Sequence, residues 1–422
     1  MIQNTPVTPN TLCRVCDSTK LKLFLDLGAQ PPANSFLKKE QFGDEASFPL
    51  RVAFCESCGF VQLADIVDPD ILFRNYVYVS STSPSFVKHF EEYANDIVNT
   101  VGGADGALAV DIGSNDGILL KPLRALGAKV LGIDPATAIA KKATAEGIET
   151  WPEYFGETLA QKIVGERGNA KLITANNVFA HIHDLNNVVR GVKILLSQDG
   201  AFVIEAPDLL VFLRDKLFDT VYHEHVSYIS VTPLVSFFAR HGLRIFDVKS
   251  VSTHGGSLRI FVGHDDAPHQ STDQLRNRLE QEQKERLGEF ATFEHFAADV
   301  QTIKKDLLLL LTAIKKEGKL IAGYGAPAKG NTLLNYVGIG QDLVDFIVDD
   351  SPPKQGLFTP GMHIPVVPAA HLDTNQPDYL LILAWNFAEA IMKKNELFTL
   401  KGGRFIVPVP VPRIVDPASS IR

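Results

Sequence analysis

The stretch Ala107-Leu108-Ala109-Val110-Asp111-Ile112-Gly113-Ser114-Asn115-Asp116-Gly117 decides how this chain folds. Residues 107–112 read as an apolar strand, the glycines as a tight turn, and residues 118–126 as the helix that follows. The alternation continues outward. Residues 129–133 are the next strand, 136–146 the next helix, and 171–175 and 201–205 extend the series. Strand and helix in strict alternation are the pattern of βαβ units on a mostly parallel sheet. After a long charged helical region over residues 272–316, a second α/β series begins. Its strands are expected at residues 320–324, 343–349, 379–383 and 403–407, with a Gly-rich turn after the first. The charges Glu280, Glu282, Lys284, Glu285 and Arg286 of the connecting helix read as a solvated face. The two α/β series show no clear internal sequence repeat.

Four hundred and twenty-two residues are too many for one core and imply two or three domains. Hydrophobic residues at 45% and charged residues at 21% describe an ordinary globular chain. A net charge of -8 argues against nucleic acid as partner, since a phosphate backbone needs a concentrated basic face. The polar start with its two prolines lacks a leader, and the apolar run at residues 307–314 is too short to span a bilayer. A cytoplasmic protein without membrane contact is expected, as a monomer or weak homo-oligomer.

All four cysteines fall into one pattern, Cys13-x-x-Cys16 followed by Cys55-x-x-Cys58. Two such knuckles can close a tetrahedron of thiolates around Zn²⁺, and Gly59 supports the tight second knuckle. Four thiolates leave no open coordination position, so this metal is expected to be structural. A disulfide pair is the competing reading, disfavoured in a reducing compartment.

The turn at residues 113–117 lacks the third glycine of the dinucleotide fingerprint, which brings a helix N-terminus to a pyrophosphate. S-adenosylmethionine (SAM) carries no phosphate and needs only space and polar groups for its amino-acid tail. Asp111 and Asp116 are suitable anions, and Gly113, Asn115 and Gly117 shape the turn. Asp134, with Pro135 at the tip of the second strand, is placed to grip ribose hydroxyls, and Asn176 and Asn177 stand where the fourth strand ends. A plain βαβ turn with capping by Ser114 and Asn115 is the bland alternative.

Tyr222-His223-Glu224-His225-Val226-Ser227-Tyr228 follows the fifth strand, whose end carries Glu205 and Asp208. Histidine is the natural base near neutral pH, a carboxylate can orient it, and a phenol can donate to a developing oxyanion. Spacing does not decide which histidine is the base. His181 and His183 form a second pair beyond the asparagines, for which capping or a metal contact is an equal reading. A cluster of hydroxyls and phenols, Tyr76, Tyr78, Ser80, Ser81, Thr82 and Ser83, precedes a helix reaching to residue 100. Gly323-Tyr324-Gly325-Ala326-Pro327-Ala328-Lys329-Gly330-Asn331-Thr332 opens a helix whose amides favour anions, with Lys329 as an added charge. It lacks P-loop spacing, so a diphosphate held without hydrolysis fits it better.

With these motifs in order, the whole chain resembles the nucleotide-sugar C-methyltransferases that act at C-3 of 4-keto deoxy-sugars. The resemblance rests on the paired CxxC knuckles, the 111–117 turn, Thr174-Ala175-Asn176-Asn177-Val178, residues 222–228, His254-Gly255-Gly256-Ser257-Leu258-Arg259, and residues 323–329. It implies a zinc-binding lobe (residues 1–66), a Rossmann-like class I SAM methyltransferase domain (67–284) and a second Rossmann-like α/β domain (285–422) binding the sugar nucleotide. It implies His225 as base, with Tyr222, Glu224, Tyr76 and His181 around the same cavity. Tyr76, Ser81, Tyr324, Lys329 and Asn331 are the expected contacts to a nucleotide-diphosphate 4-keto sugar. The rivals are a nicotinamide-dependent nucleotide-sugar oxidoreductase, a zinc-lobed methyltransferase of RNA, protein or another small molecule, and a non-catalytic sugar-nucleotide binding protein.

Overall fold

In the computed structural model, residues 7–73 and 84–415 are described. Tyr76 and Ser81 lie outside them. The N-terminal lobe is built on strands β1 (Leu21–Gln30), β2 (Phe48–Cys55) and β3 (Val61–Leu63), paired antiparallel. Each knuckle is the same hydrogen-bonded turn. The Cys13 carbonyl accepts the Asp17 amide, and the Cys55 carbonyl accepts that of Gly59. Both amide donors sit at positive φ, 60° at Asp17 and 80° at Gly59, which aims the two sulfurs of each knuckle to one side.

After helix α1 (Pro84–Thr100), the middle domain runs through β4 (Leu108–Ile112), β5 (Lys129–Ile133), β6 (Thr150–Trp151), β7 (Ala170–Asn176) and β8 (Leu196–Pro207). The 222–228 stretch then contributes β9 (Ser227–Tyr228), and helix α2 (Val231–Arg240) leads to β10 (Leu243–Val251) and β11 (Ser257–His264). The sheet order is β6-β5-β4-β7-β8-β11-β10, with β6 to β8 parallel and β11 antiparallel to both neighbours. The chain reverses its direction of winding between β4 and β7, and ligands bind open α/β sheets at the carboxyl ends around that switch point. Strands β10 and β11 are additions to the expected series. Strand β9 does not join this sheet at all: Ser227 pairs with Gln62 and Tyr228 with Val61, so the 222–228 stretch ends in the edge strand of the N-terminal lobe.

Helix α3 (Asp273–Lys284) corrects the expectation of a wholly solvated charge face. Glu282 is buried and caps α2, accepting the amides of Val231 and Thr232 at 2.7 and 2.8 Å. Buried Arg278 bridges Glu282 to Asp208. Charge spacing along a helix shows which residues are ionic, and the packing of its neighbours decides which of them are enclosed. Helix α4 (Phe290–Lys316) buries Phe293, Phe296, Val300, Ile303, Leu307, Leu311 and Ile314, a stripe at three- and four-residue spacing. Phe293 meets Phe24 and Phe54 of the lobe, while Phe296 meets Phe212 of the middle domain.

The C-terminal domain comprises β12 (Ile321–Tyr324), α5 (Ala328–Val337), β13 (Ile347–Val348), β14 (Val366–Val367), β15 (Tyr379–Ile382), β16 (Arg404–Val407) and β17 (Arg413–Val415). Its sheet order is β14-β13-β12-β15-β16-β17, parallel except at β17. One apolar cluster joins Leu25, Leu50 and Phe54 to Phe293, Leu307, Ile321 and Leu381. Another joins Cys13, Val15, Cys55 and Phe60 to Ile112, Phe179, Phe202 and Phe238. Among the described residues, no helix is long and apolar enough to cross a membrane.

Candidate active site

The four cysteine sulfurs lie within 4.8 Å of one another, with Cys13 and Cys58 at 3.6 Å and Cys16 and Cys55 at 3.6 Å. Sulfurs at about 2.3 Å from a tetrahedral Zn²⁺ stand about 3.8 Å apart, so the donor set fits that ion and is too open for disulfides. The hydrogen bond shared with Cys58 lowers the Cys13 pKa to about 5, while burial raises Cys16 to about 11. Cys13 thus ionises readily, while Cys16 and Cys58 resist doing so without a cation.

At the tip of β4, buried Asp111 accepts the Thr174 hydroxyl at 2.6 Å and the Asn176 amide at 3.2 Å. Burial, with Asp134 adding like charge, raises its pKa to about 7. Gly113 is at φ +71°, and a Cβ there would stand 2.2 Å from the Val178 side chain, so the turn requires glycine. Gly117, at φ +76°, packs against Ile148. Asp134 accepts the Asn115 amide at 2.8 Å and the Ala136 amide at 2.9 Å, which fixes its carboxylate over the turn beside half-buried Pro135. Ser114 Oγ, Asp116 Oδ1, Asn176 Oδ1 and Asn177 Oδ1 are buried with no partner among the described residues. Orphaned polar atoms at adjacent strand tips suit a polar ligand such as SAM. The expected cofactor residues are therefore brought together at β4, β5 and β7.

Asn177, at φ 54° with its amide on the Glu205 carbonyl, turns the chain from β7 into a short helical turn, Phe179–His181. The His181 ring lies 4.9 Å from that of His225. A carbonyl only accepts, so the 2.7 Å contact to Thr220 fixes a proton on His225 Nδ1. In the neutral ring Nε2 then carries the lone pair, and the Tyr222 hydroxyl donates to it at 2.8 Å. The two rings overlap at 4.0 Å. The other members of the stretch do different work. His223 is buried against Phe48, its Nε2 donating to the Phe48 carbonyl, and burial lowers its pKa. Glu224 receives Asn34 Nδ2 from the N-terminal lobe at 2.8 Å, and burial raises its pKa to about 7.

That carboxyl predicts a pH-dependent stability. Its folded pKa lies above the unfolded value of about 4.5, so its contribution to stability is full below about 4.5 and is lost as pH rises through about 7. Glu224→Gln is expected to gain on the wild type by about 3 kcal/mol between pH 5 and pH 8. Urea unfolding at both pH values checks it, and an equal difference at the two would contradict it.

The second Gly-rich turn closes over the same region. Trp385 Nε1 donates to fully buried Asp219 at 2.6 Å, one residue before the Thr220 that anchors His225. Lys329 donates to Asn386 and lies 4.6 Å over the Trp385 ring. Asn331 donates to the Ala33 carbonyl at 2.7 Å, while its Oδ1, Thr332 Oγ1, the Tyr324 hydroxyl and Asp219 Oδ1 are buried without partners among the described residues. The turn also repeats the wiring of the first. Gly325 donates to the Val348 carbonyl at 2.7 Å as Gly113 does to that of Ile133. Asp349 accepts the Ala326 and Ser351 amides at 2.6 and 2.8 Å as Asp134 accepts those of Asn115 and Ala136. Of this repeat only the glycine and the distant acid mark the residues, because the donors are backbone amides.

Sequence reasoning missed Arg14, Asn34, Thr220 and His89. His89 meets the buried end of β8, pairing with Glu205 at 2.7 Å, and Arg259 closes the same carboxylate at 2.8 Å. The four missed are isolated polar residues whose partners lie far off in the chain, so no local spacing marks them.

Three family models tile the chain. Residues 13–73 match the family described as "Putative zinc binding domain", 86–248 a methyltransferase domain, and 252–410 the C-methyltransferase C-terminal domain. The C-methyltransferase NovU of Streptomyces niveus is 36% identical over 416 residues, 98% of this chain and 99% of its own length. The chain belongs to the C-methyltransferases. A ubiquinone biosynthesis O-methyltransferase of Colwellia psychrerythraea is 26% identical over 154 residues, covering 34% of this chain and 63% of its own. Among solved structures, magnesium protoporphyrin IX methyltransferase from Synechocystis PCC 6803 with bound SAM covers 42% of this chain and 80% of its own, at 17% identity and a TM-score of 0.32. The middle domain is a class I SAM-dependent methyltransferase fold, flanked by a four-cysteine lobe and a second α/β domain.

Proposed function

We propose that this C-methyltransferase transfers a methyl group to C-3 of a nucleotide-linked 4-keto deoxy-sugar, with His225 as the base. The single observation that carries the reading is the chain Thr220 carbonyl, His225, Tyr222: in the neutral ring it places the lone pair on Nε2, with a phenol at its edge. A ketone acidifies the adjacent C–H. Nε2 takes that proton, the electron pair moves toward the ketone oxygen, and Tyr222 donates to the oxygen as charge develops. Bound SAM would supply an electrophilic methyl to that carbon, the S–CH3 bond breaking so that the sulfonium leaves as a neutral thioether. Asp111, Asp116, Asn176 and Asn177 hold the cofactor's polar tail and Asp134 its ribose. In the C-terminal domain, the amides opening α5 and Lys329 receive the diphosphate, and Asp349, wired like Asp134, receives the nucleotide's ribose. The zinc staples the lobe that supplies Asn34 and the partner strand of β9.

Methyl-labelled SAM incubated with a panel of 4-keto sugar nucleotides tests the proposal. Label at C-3 of the sugar is the expected product. Label on oxygen, or none with any 4-keto sugar, would remove the sugar C-3 reading. Turnover that requires a nicotinamide would favour the oxidoreductase.

A further inference from the structure

We infer that Arg14 is a positioning residue that fixes the two histidine-bearing turns from inside the metal knuckle. Arg14 lies between Cys13 and Cys16, and its side chain is buried inward at 9% exposure. Its own backbone is held first. The Arg14 amide donates to Gln62 Oε1 at 2.9 Å, and Gln62 Nε2 donates to the Leu12 carbonyl at 3.0 Å, so a fully buried side chain of β3 clamps the first knuckle. Gln62 also faces Ser227 in the strand ladder, which places β9 on the same support.

From that support the guanidinium reaches two separate turns. Nη1 donates to Ser227 Oγ and, at 3.4 Å, to the Val226 carbonyl. Nη2 donates to the carbonyls of Ile182 and His183, the latter at 2.5 Å. Ile182 and His183 follow His181 directly, and Val226 and Ser227 follow His225 directly. One planar fork therefore spans both turns that set the 4.9 Å separation of the His181 and His225 rings. Neither turn has much structure of its own: one is a three-residue helical turn, the other an irregular segment ending in a two-residue strand.

The described side-chain bonds of this guanidinium go to carbonyls and a hydroxyl; no carboxylate receives one. Its charge feels Asp184 and the Cys13 sulfur, and burial lowers its pKa to about 10, so the group stays cationic. A buried cation bound to neutral acceptors adds little stability relative to an apolar side chain of similar size. Its contribution is directional. Lysine, a point donor on a flexible stem, cannot span two turns with fixed angles. The cofactor residues at β4 and β5 lie outside this network and bond to one another.

The test uses full-length, zinc-loaded Arg14→Met and Arg14→Lys. Expected are unchanged zinc content and SAM affinity, and a fall in kcat of about 100-fold in both variants, the cost of roughly an ångström of misplacement. The kinetic readout rests on the proposed role of His225. A second readout does not: ¹⁵N-histidine NMR of the resting protein, with the His225 signals assigned through His225→Asn. The His225 ring signals are expected to shift while those of His264 and His371 stay fixed. Unshifted His225 signals in Arg14→Met overturn the inference whatever the turnover. Shifted signals with full turnover uphold it and remove His225 from the chemistry instead. Should Arg14→Met fail to bind zinc or fold, Ser227→Ala removes one acceptor only. A shifted His225 signal and a fall of about 10-fold in kcat are expected there, and wild-type values in both would overturn the inference.

Discussion

His225→Asn is expected to lower methyl transfer by about 10³-fold while SAM binds with wild-type affinity. The imidazole is held through Nδ1 by the Thr220 carbonyl and presents Nε2 to Tyr222. Asparagine is similar in size at its first atoms and cannot act as a base near neutral pH. A positioned general base contributes about 10²–10⁴ in rate, whereas the residues around Asp111 and Asp134 bond within their own strand tips and do not depend on this ring. Single-turnover transfer of labelled methyl and calorimetric titration of SAM measure the two effects separately. A variant within tenfold of the wild type would take the base role from His225. Tyr222→Phe distinguishes two routes for the proton. If the phenol only supports the developing oxygen charge, transfer falls by about 10–10²-fold. If the phenol relays the proton to Nε2, transfer falls as far as in His225→Asn.

The other large effect is expected on removing the zinc proposed for the four cysteines. Cys13 and Cys55 are fully buried, and they sit in the same apolar cluster as Ile112 and Phe202 of the methyltransferase sheet. Structural zinc sites in small peptides contribute about 10–16 kcal/mol near pH 7, as much as a whole domain's stability. Cys55→Ser, or exhaustive chelation, is expected to abolish the cooperative unfolding transition of the lobe and turnover together. Because the ligands bind metal as thiolates, acidification is expected to release the ion. Metal analysis alongside scanning calorimetry checks this. A metal-free protein with an unchanged unfolding midpoint would show that the cysteines do not serve as a staple.

Much of the architecture was legible in the chain. The run ending at Ile112, the glycine at 113 and the acid at 134 are local signals, and the four cysteines are a spacing signal that survives any fold. What was not legible depends on distant partners. Strand β11 shows no alternation because every residue in it is enclosed, and Ser227–Tyr228 is too short to announce a strand, let alone one that pairs with residues 61–62. Glu282 carries the same charge pattern as its exposed neighbours and differs only in what α2 places opposite it. Arg14 looks like an ordinary residue of a metal loop until Ile182 and Val226 are brought to it. The Asp134 and Asp349 scaffolds share a glycine and an acid, but their donors are backbone amides, which leave no mark on residue identity.

The apolar clusters do not respect the three segments that the family models delineate. Leu25 and Phe54 share an interior with Leu381 and Ile406, and Cys13 shares one with Phe238. Grafting the carboxyl-terminal half of a relative onto this chain would therefore mismatch surfaces on both sides of the seam. In this chain, point changes within the intact whole would disturb fewer packed surfaces than an exchange of segments.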